Sequence, residues 1–350
     1  MGFLLCRQIL LHIYKKEDRP LKEVDTLALY IIISSVLGAR LGHVIFFQPD
    51  LISSKPLEIF LPFEFQPVFH FTGLRGLSSH GAAFGILLAL LLYSRRNKSG
   101  HGYLKLLDRF VIVVALAGAF ILASNFFNSE PIGRPTDSLL GTVFIRPITD
   151  GLLNVPCCIM RNPGGKNPLD FVSVKKDEER EVDRISHSPI ILYLFFNPGV
   201  TEQIVKEFLL GDVKTYLFDR SEFVYEPGTE PLHYTIFVEK DVYTARVRTI
   251  GIARHPVQLY ECVSCLLLFA FLFRYWKKHK VSTPPGRILG IFFITFWGLH
   301  FIYDYLKIEQ APIADRIALS IGQVLSVSFF LAGVVVLANS YRNLRLRGDY

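Results

Sequence analysis

The chain has 350 residues, of which 51% are hydrophobic, 13% aromatic and 20% charged, with a formal net charge of +7. The totals lean only mildly apolar, but the apolar residues gather in windows near 20 residues long that are almost free of charge, with the basic residues between them. That distribution excludes a soluble globular domain, a disordered chain and a disulfide scaffold, and predicts a polytopic membrane protein.

In chain order, Gly2–Ile13 is apolar but too short to span a bilayer core of about 30 Å. It lacks the basic start and small-residue cleavage site of a signal peptide, and reads as the end of a truncated first helix. Six full spans follow: Thr26–Phe47, Gly76–Ser94, Leu106–Phe127, Pro256–Phe273, Ile288–Leu306 and Arg316–Tyr341. The predicted fold class is therefore all-α polytopic, six full transmembrane helices plus the truncated first, with a small α+β extracytoplasmic insert.

Loop charge sets the orientation. Segments 14–25, 95–105 and 274–287 and the tail hold 16 Lys and Arg, whereas loops 48–75 and 307–314 hold 3. Basic loops stay in the cytoplasm, so the tail is expected inside and 48–75, 128–255 and 307–314 outside. The predicted organisation is residues 1–127 as N-terminal membrane helices with an external arm at 48–75, 128–255 as an external head, and 256–350 as C-terminal membrane helices.

The head insert is net acidic. Runs of β-branched and aromatic residues predict strands at Pro189–Phe196, Lys214–Phe218, Tyr234–Glu239 and Tyr243–Ile250. Thr201–Leu210 predicts a short amphipathic helix capped by Thr201, and Lys175–Arg184 a solvated charged turn. The five cysteines form no framework. Cys262 and Cys265 make a C-x-x-C inside a span with no further ligand beside it, which fits small packing residues; Cys157 and Cys158 are adjacent in the insert.

Ionisable groups at membrane depth are costly and usually face a partner or a wet cavity. Five groups stand out: Arg40 and His43 in the first span; Ser79 and His80 opening the second; Asn125, Asn128, Glu130 and Gly133 closing the third; Arg254, His255, Gln258 and Glu261 opening the fourth; His300 and Asp304 in the fifth. Singly, each has a plainer reading. His80 could bond a helix end, Arg254 could snorkel to headgroups, and the asparagines could join helices. His300 and Asp304 could be a local pair, and Arg40 could bridge to Asp304 or Glu261. By the topology above all except Arg40 share one depth, as an active or permeation site requires.

In this order the groups resemble the prolipoprotein diacylglyceryl transferase family. Gly38–Phe47 is similar to its arginine-bearing helix, Gly76–Ala82 to its histidine segment and Asn125–Gly133 (NFFNSEPIG) to the second half of its signature. Arg254–Glu261 (RHPVQLYE) matches its R-H-P-x-Q-L-Y-E element, and Ser320–Ser326 resembles its last helix. The sequence departs from the family pattern at Leu122, where the signature has arginine, and at Ser124, where it has glycine. His300 and Asp304 stand where it has R-F-x-x-E, and Arg75 replaces one of a glycine pair.

The resemblance implies transfer of the diacylglyceryl unit of phosphatidylglycerol to the lipobox cysteine of a prolipoprotein, in a bacterial inner membrane. It implies no cofactor, no metal and no nucleic-acid partner. His80 is then the candidate base for the thiol and Arg254 the cation for the phosphate. Asn125 and Asn128 would donate hydrogen bonds to lipid oxygens, with Glu130 and Gln258 also in the binding set. Arg40 and Glu261 would supply supporting ion pairs, and Gly133 close backbone approach. Arg75 could replace the charge missing at Leu122. Two other readings are a family member that binds lipid or precursor without turnover, and a small anion or lipid transporter. The sequence lacks the inverted repeats and broken helices that favour the latter.

Overall fold

The computed structural model describes residues 2–54, 63–64, 70–71, 78–96, 102–155, 167–178, 187–239, 241–308 and 319–347. Cys157, Cys158, Arg75, Gly76 and Arg316 lie outside them, as do most of the arm 48–75 and part of the charged turn at 175–184. Among the described residues, five helices are long and apolar enough to cross a membrane: Lys22–Phe46, Tyr103–Asn128, Val257–Ser282, Arg287–Asp304 and Gly322–Arg342. They make the chain a multi-pass membrane protein and cover five of the six expected spans. The remaining one is also a helix, Ser79–Arg96, but it is 18 residues long, ends on Arg95 and Arg96, and is not among the five.

The chain divides into two compact units. The first comprises 1–120, 264–299 and 325–350. It begins with α1 (Gly2–Lys16) and α2 (Lys22–Phe47), followed by the short α3 (Asp50–Ser54) and a two-residue strand pair, β1 (Phe63–Glu64) and β2 (His70–Phe71). Next come α4 (Ser79–Arg96) and the first part of α5 (Tyr103–Asn128). The unit also holds most of α9 (Val257–His279), α10 (Arg287–Asp304) and α11 (Ile321–Arg347).

Glycine sets the α2–α4 crossing. A Cβ on Gly38 would lie 2.4 Å from the Gly81 carbonyl oxygen, and one on Gly85 2.5 Å from that of Ser34. Close backbone approach replaces the hydrophobic drive that apolar lipid cannot supply. Leu29, Ile33, Val335 and Leu331, on the outer faces of α2 and α11, stay exposed as lipid-facing side chains do.

One end of this unit is held by a buried polar knot. Glu17 Oε1 accepts from Arg109 Nε at 2.9 Å and from Trp276 Nε1 at 2.7 Å, and Arg19 pairs with Glu17 Oε2 at 3.2 Å. Asp108 accepts the main-chain N–H groups of Gly286 and Leu289, both at 2.8 Å. These are donors that the start of α10 cannot satisfy within its own helix.

The second unit comprises 121–263 and 300–324. It holds β3 (Thr142–Val143), α6 (Arg146–Asn154), β4 (Leu169–Lys176), β5 (His187–Phe196), α7 (Glu202–Phe208), α8 (Lys214–Asp219), β6 (Val224–Tyr225), β7 (His233–Glu239) and β8 (Val242–Arg254). All pairings are antiparallel, and β8 is the central strand. Its one edge pairs with β5, which pairs with β4. Its other edge takes β7, β6 and β3 in turn: Glu239 opposite Val242, Val224 opposite Gly251, and Thr142 opposite Arg254. Residues Ala245, Val247 and Thr249 alternate inward with period two. Ala245 and Val247 bury against Leu192 and Leu194 of β5 and the helical residues Val205, Phe208, Val213 and Leu217.

The strand expected at Lys214–Phe218 is instead helix α8. Its helix begins with α7 and continues through a π-helical turn, Leu209–Val213. Val205, Leu209, Val213 and Leu217 recur every four residues and are fully buried, so one helical face carries them all. The β-branched and aromatic residues that suggested a strand, Thr215, Tyr216 and Phe218, occupy its other faces. Thr201 stands at the N-cap with extended backbone but makes no side-chain cap bond. Strand β4 was not anticipated, because its burial does not alternate regularly.

Candidate functional site

In the second unit the site grows from the end of α5. The helix closes at Ser129, a non-glycine residue with φ of 61°. Ser129 N donates to Phe126 O and Glu130 N to Asn125 O, both at 3.0 Å. This crossed pair is the Schellman closure that satisfies the last helical carbonyls, and it fixes Asn125 and Asn128 on the final turn. Asn125 is half buried; Asn128 and Glu130 are exposed. Asn128 Oδ1 accepts from Arg146 Nη1 at 3.0 Å, and the same nitrogen donates to Phe127 O at 3.2 Å.

Beyond the helix the chain runs extended between two other segments. Arg134 N donates to Leu306 O at 2.7 Å and Ile308 N to Ile132 O at 3.2 Å on one side. On the other, His255 N donates to Arg134 O and Thr136 N to Ala253 O, both at 3.0 Å. Gly133 sits where these three backbones meet. A Cβ there would lie 2.2 Å from the His255 carbonyl oxygen, so no other residue fits without moving main chain.

Arg254 ends β8 and is 5% exposed. Its Nη1 donates to Gly133 O at 2.9 Å and its Nε to Glu222 O. Among the described residues both hydrogen-bond partners are main-chain carbonyls, so neither neutralises the guanidinium. Burial pulls its pKa below the ordinary arginine value, with nearby Glu222 opposing. Gln258 is fully buried in the first turn of α9; its Nε2 donates to Pro131 O at 2.6 Å. Its Oε1 has no hydrogen-bond partner among the described residues. His255 Nδ1 lies 3.3 Å from Tyr260 Oη.

Glu261 is paired with a residue that the sequence reading did not single out. Lys307 Nζ lies 2.9 Å from Glu261 Oε1 and 3.3 Å from Asp304 Oδ1, with all three side chains under 10% exposed. Asp304 Oδ2 also accepts from Ser320 Oγ at 2.8 Å, while Ser320 and Gln323 cap the start of α11 reciprocally. The main chain of Lys307 bridges Gly133, and its carbonyl accepts from Arg134 Nε at 3.2 Å. Lys307 thus ties α9, α10 and the Gly133 segment together. The i, i+3 spacing from Asp304 was the one signal in sequence; the link to Glu261 needed the fold. Arg146, placed by α6 beside Asn128, left no signal at all.

The other two candidates belong to the first unit. Arg40 lies half buried on α2 and engages a neighbour. His80 is the second residue of α4; its side chain lies outside what the structure describes. Ser78 positions that turn: its N donates to Ala39 O of α2 at 2.9 Å, and its Oγ accepts from Gly81 N at 3.3 Å. Of the candidates in the second unit, Arg254 bonds Gly133 directly, Gln258 bonds Pro131 and Glu261 reaches the Gly133 segment through Lys307, while Asn125, Asn128 and Glu130 stand at the end of α5 or just beyond it.

These features define a multi-pass membrane protein with a buried cation held among fixed backbone carbonyls at the end of a strand that leads into a spanning helix. The chain belongs to the prolipoprotein diacylglyceryl transferase family, whose model matches residues 1–339. It is 28% identical over 336 residues to the phosphatidylglycerol–prolipoprotein diacylglyceryl transferase of Tolumonas auensis, covering 96% of this chain and 86% of the relative. It is 24% identical to the protein of that name from Porphyromonas gingivalis, covering 94% and 82%, and 24% identical to that of Chloroherpeton thalassium, covering 99% and 87%.

Proposed function

We propose that this chain transfers the diacylglyceryl group of phosphatidylglycerol to the cysteine thiol of a prolipoprotein lipobox. A carbon–sulfur bond forms, the glyceryl carbon–oxygen bond to phosphate breaks, and glycerol phosphate leaves. The thiol proton passes to a base. The observation that carries the reading is Arg254: a buried guanidinium bonded to neutral carbonyls, which supplies positive charge for an anionic leaving group. A fixed cation in a water-poor site stabilises developing phosphate charge without reorganising.

The remaining roles follow from chemistry. His80 takes the thiol proton, since imidazole titrates near neutrality. Asn125 and Asn128 donate to phosphate or glycerol oxygens. The free Gln258 Oε1 accepts from a glycerol hydroxyl, and Glu130 contributes to the same binding surface. Gly133 lets the backbone carry Arg254. Glu261, through Lys307, and Arg40 hold the surroundings. Residues 128–255 form the head outside the membrane, between the helices of 1–127 and 256–350. Ser79–Arg96 is the sixth spanning helix, the C-terminus lies in the cytoplasm, and the membrane is the bacterial inner membrane; the loop-charge bias of 16 to 3 supports this sidedness.

The test uses the full chain in vesicles with phosphatidylglycerol and a prolipoprotein, with the product read by mass. Thioether-linked diacylglyceryl product is expected, together with its loss in Arg254→Met. No product from correctly inserted protein rejects the function.

A further inference from the structure

We propose that the turn carrying Leu139 and Leu140 is a membrane-inserting tip, seated in the bilayer interface where α5 ends and α9 begins. Leu139 is 102% exposed and Leu140 64% exposed. The turn is closed, not frayed: Gly141 N donates to Ser138 O at 2.8 Å, and Ser138 N and Oγ are both bonded within it. A structured turn is therefore holding two adjacent leucines away from the protein.

Exposed apolar side chains are common singly. Here location decides what covers the pair. Strand β3 follows the turn at once, and its Thr142 lies opposite Arg254. Three residues after Arg254, the spanning helix α9 starts at Val257. On the N-terminal side, the spanning helix α5 ends at Asn128. Phe127, its penultimate residue, is 70% exposed, and its carbonyl is bonded to Arg146. Ile145, next to that arginine, is also exposed. The tip is thus anchored between two points where the chain leaves the hydrocarbon, and its neighbours present apolar surface too. A short apolar projection at that level lies within the ~5–10 Å depth that interfacial segments occupy.

The occupant is lipid, not solvent or protein. Insertion would fix the β3–β8 edge, and with it Arg254, at headgroup level. The inference rests on α5 and α9 crossing the membrane and not on the transferase activity, so it stands or falls separately from the proposed function.

The experiment places tryptophan at Leu139, and in a second variant at Leu140, in the full chain reconstituted in phosphatidylcholine–phosphatidylglycerol vesicles. Phe237→Trp is the control. Phe237 is exposed on β7 opposite Thr244, ten residues along β8 from Arg254, or about 33 Å at strand rise. Phosphatidylcholine brominated near the headgroup is the quencher, and the unsubstituted protein supplies the background. Both tip variants are expected to emit at shorter wavelength than the control and to be quenched at least twofold more. Quenching no greater than the control's in both variants overturns the proposal. A blue shift that appears only after addition of an apolar signal-peptide segment would assign the pair to that peptide. One that grows with protein-to-lipid ratio would assign it to a second copy. Either result overturns the proposal as well.

Discussion

Lys307 shows what a single buried charge can hold. Its ammonium serves two carboxylates from two helices while its backbone supports Gly133. Removing one partner of a buried ion pair costs about 3–5 kcal/mol, because the other charge is stranded. Lys307→Met is therefore expected to lower the midpoint of thermal unfolding in detergent and to reduce turnover. Adding Asp304→Asn should recover part of the loss, since it removes one stranded charge. Additive losses in the double variant would reject the clamp. At position 122 the charge runs the other way. A charge-assisted hydrogen bond contributes about 1.5–3 kcal/mol, worth roughly ten- to hundredfold in rate. Leu122→Arg is expected to raise turnover modestly in the intact chain and strongly in an Arg75→Ala background. Equal gains in both would dismiss Arg75 as the substitute. Arg254 and Gly133 were legible in sequence because each residue type has a distinctive capability, a permanent charge or a missing Cβ. Lys307 was not, because an ammonium in a loop looks solvated until the fold brings Glu261 to it.

Among elements, legibility followed period and length. A window of 20 apolar residues can only be a spanning or deeply buried helix, so α5, α9 and α10 lay close to where the sequence placed them. Lys214–Phe218 was misread because five residues are too few to separate period two from period 3.6. The inward positions Val213 and Leu217 belong to a pattern that starts at Val205. Strand β8 carries a titration device. Glu226 Oε2 accepts from Thr249 Oγ1 at 2.7 Å in the head, and burial raises its carboxyl pKa, with the Thr249 bond opposing. A raised pKa means that the folded head binds the proton more tightly than the unfolded chain. This contribution is fully present below the unfolded glutamate pKa of about 4.3 and is lost as pH rises through the folded value. Hydrogen exchange of β8, corrected for intrinsic rates, should show protection falling over that interval. Glu226→Gln should abolish the dependence and leave the strand better protected at neutral pH. An unchanged pH profile in the variant would refute the assignment.

For the whole molecule, the charge totals acquire a spatial meaning. The +7 is the sum of basic membrane loops and an acidic insert that folds on its own sheet. A reporter active only in the cytoplasm should work when fused at the C-terminus and fail when inserted within 128–255. The reverse result would invert the topology. The sequence could not show how the insert connects to the site, since the pairing of β8 with β3, β5 and β6 is non-local. That strand runs unbroken for 13 residues from Val242 to Arg254. Mechanically it is a stiff rod with the guanidinium at one end and the connection to β7 at the other. Lengthening that connection would leave the register along the rod intact, so tags or whole domains could be grafted there. A load placed on such a graft would be carried down one strand to the cation.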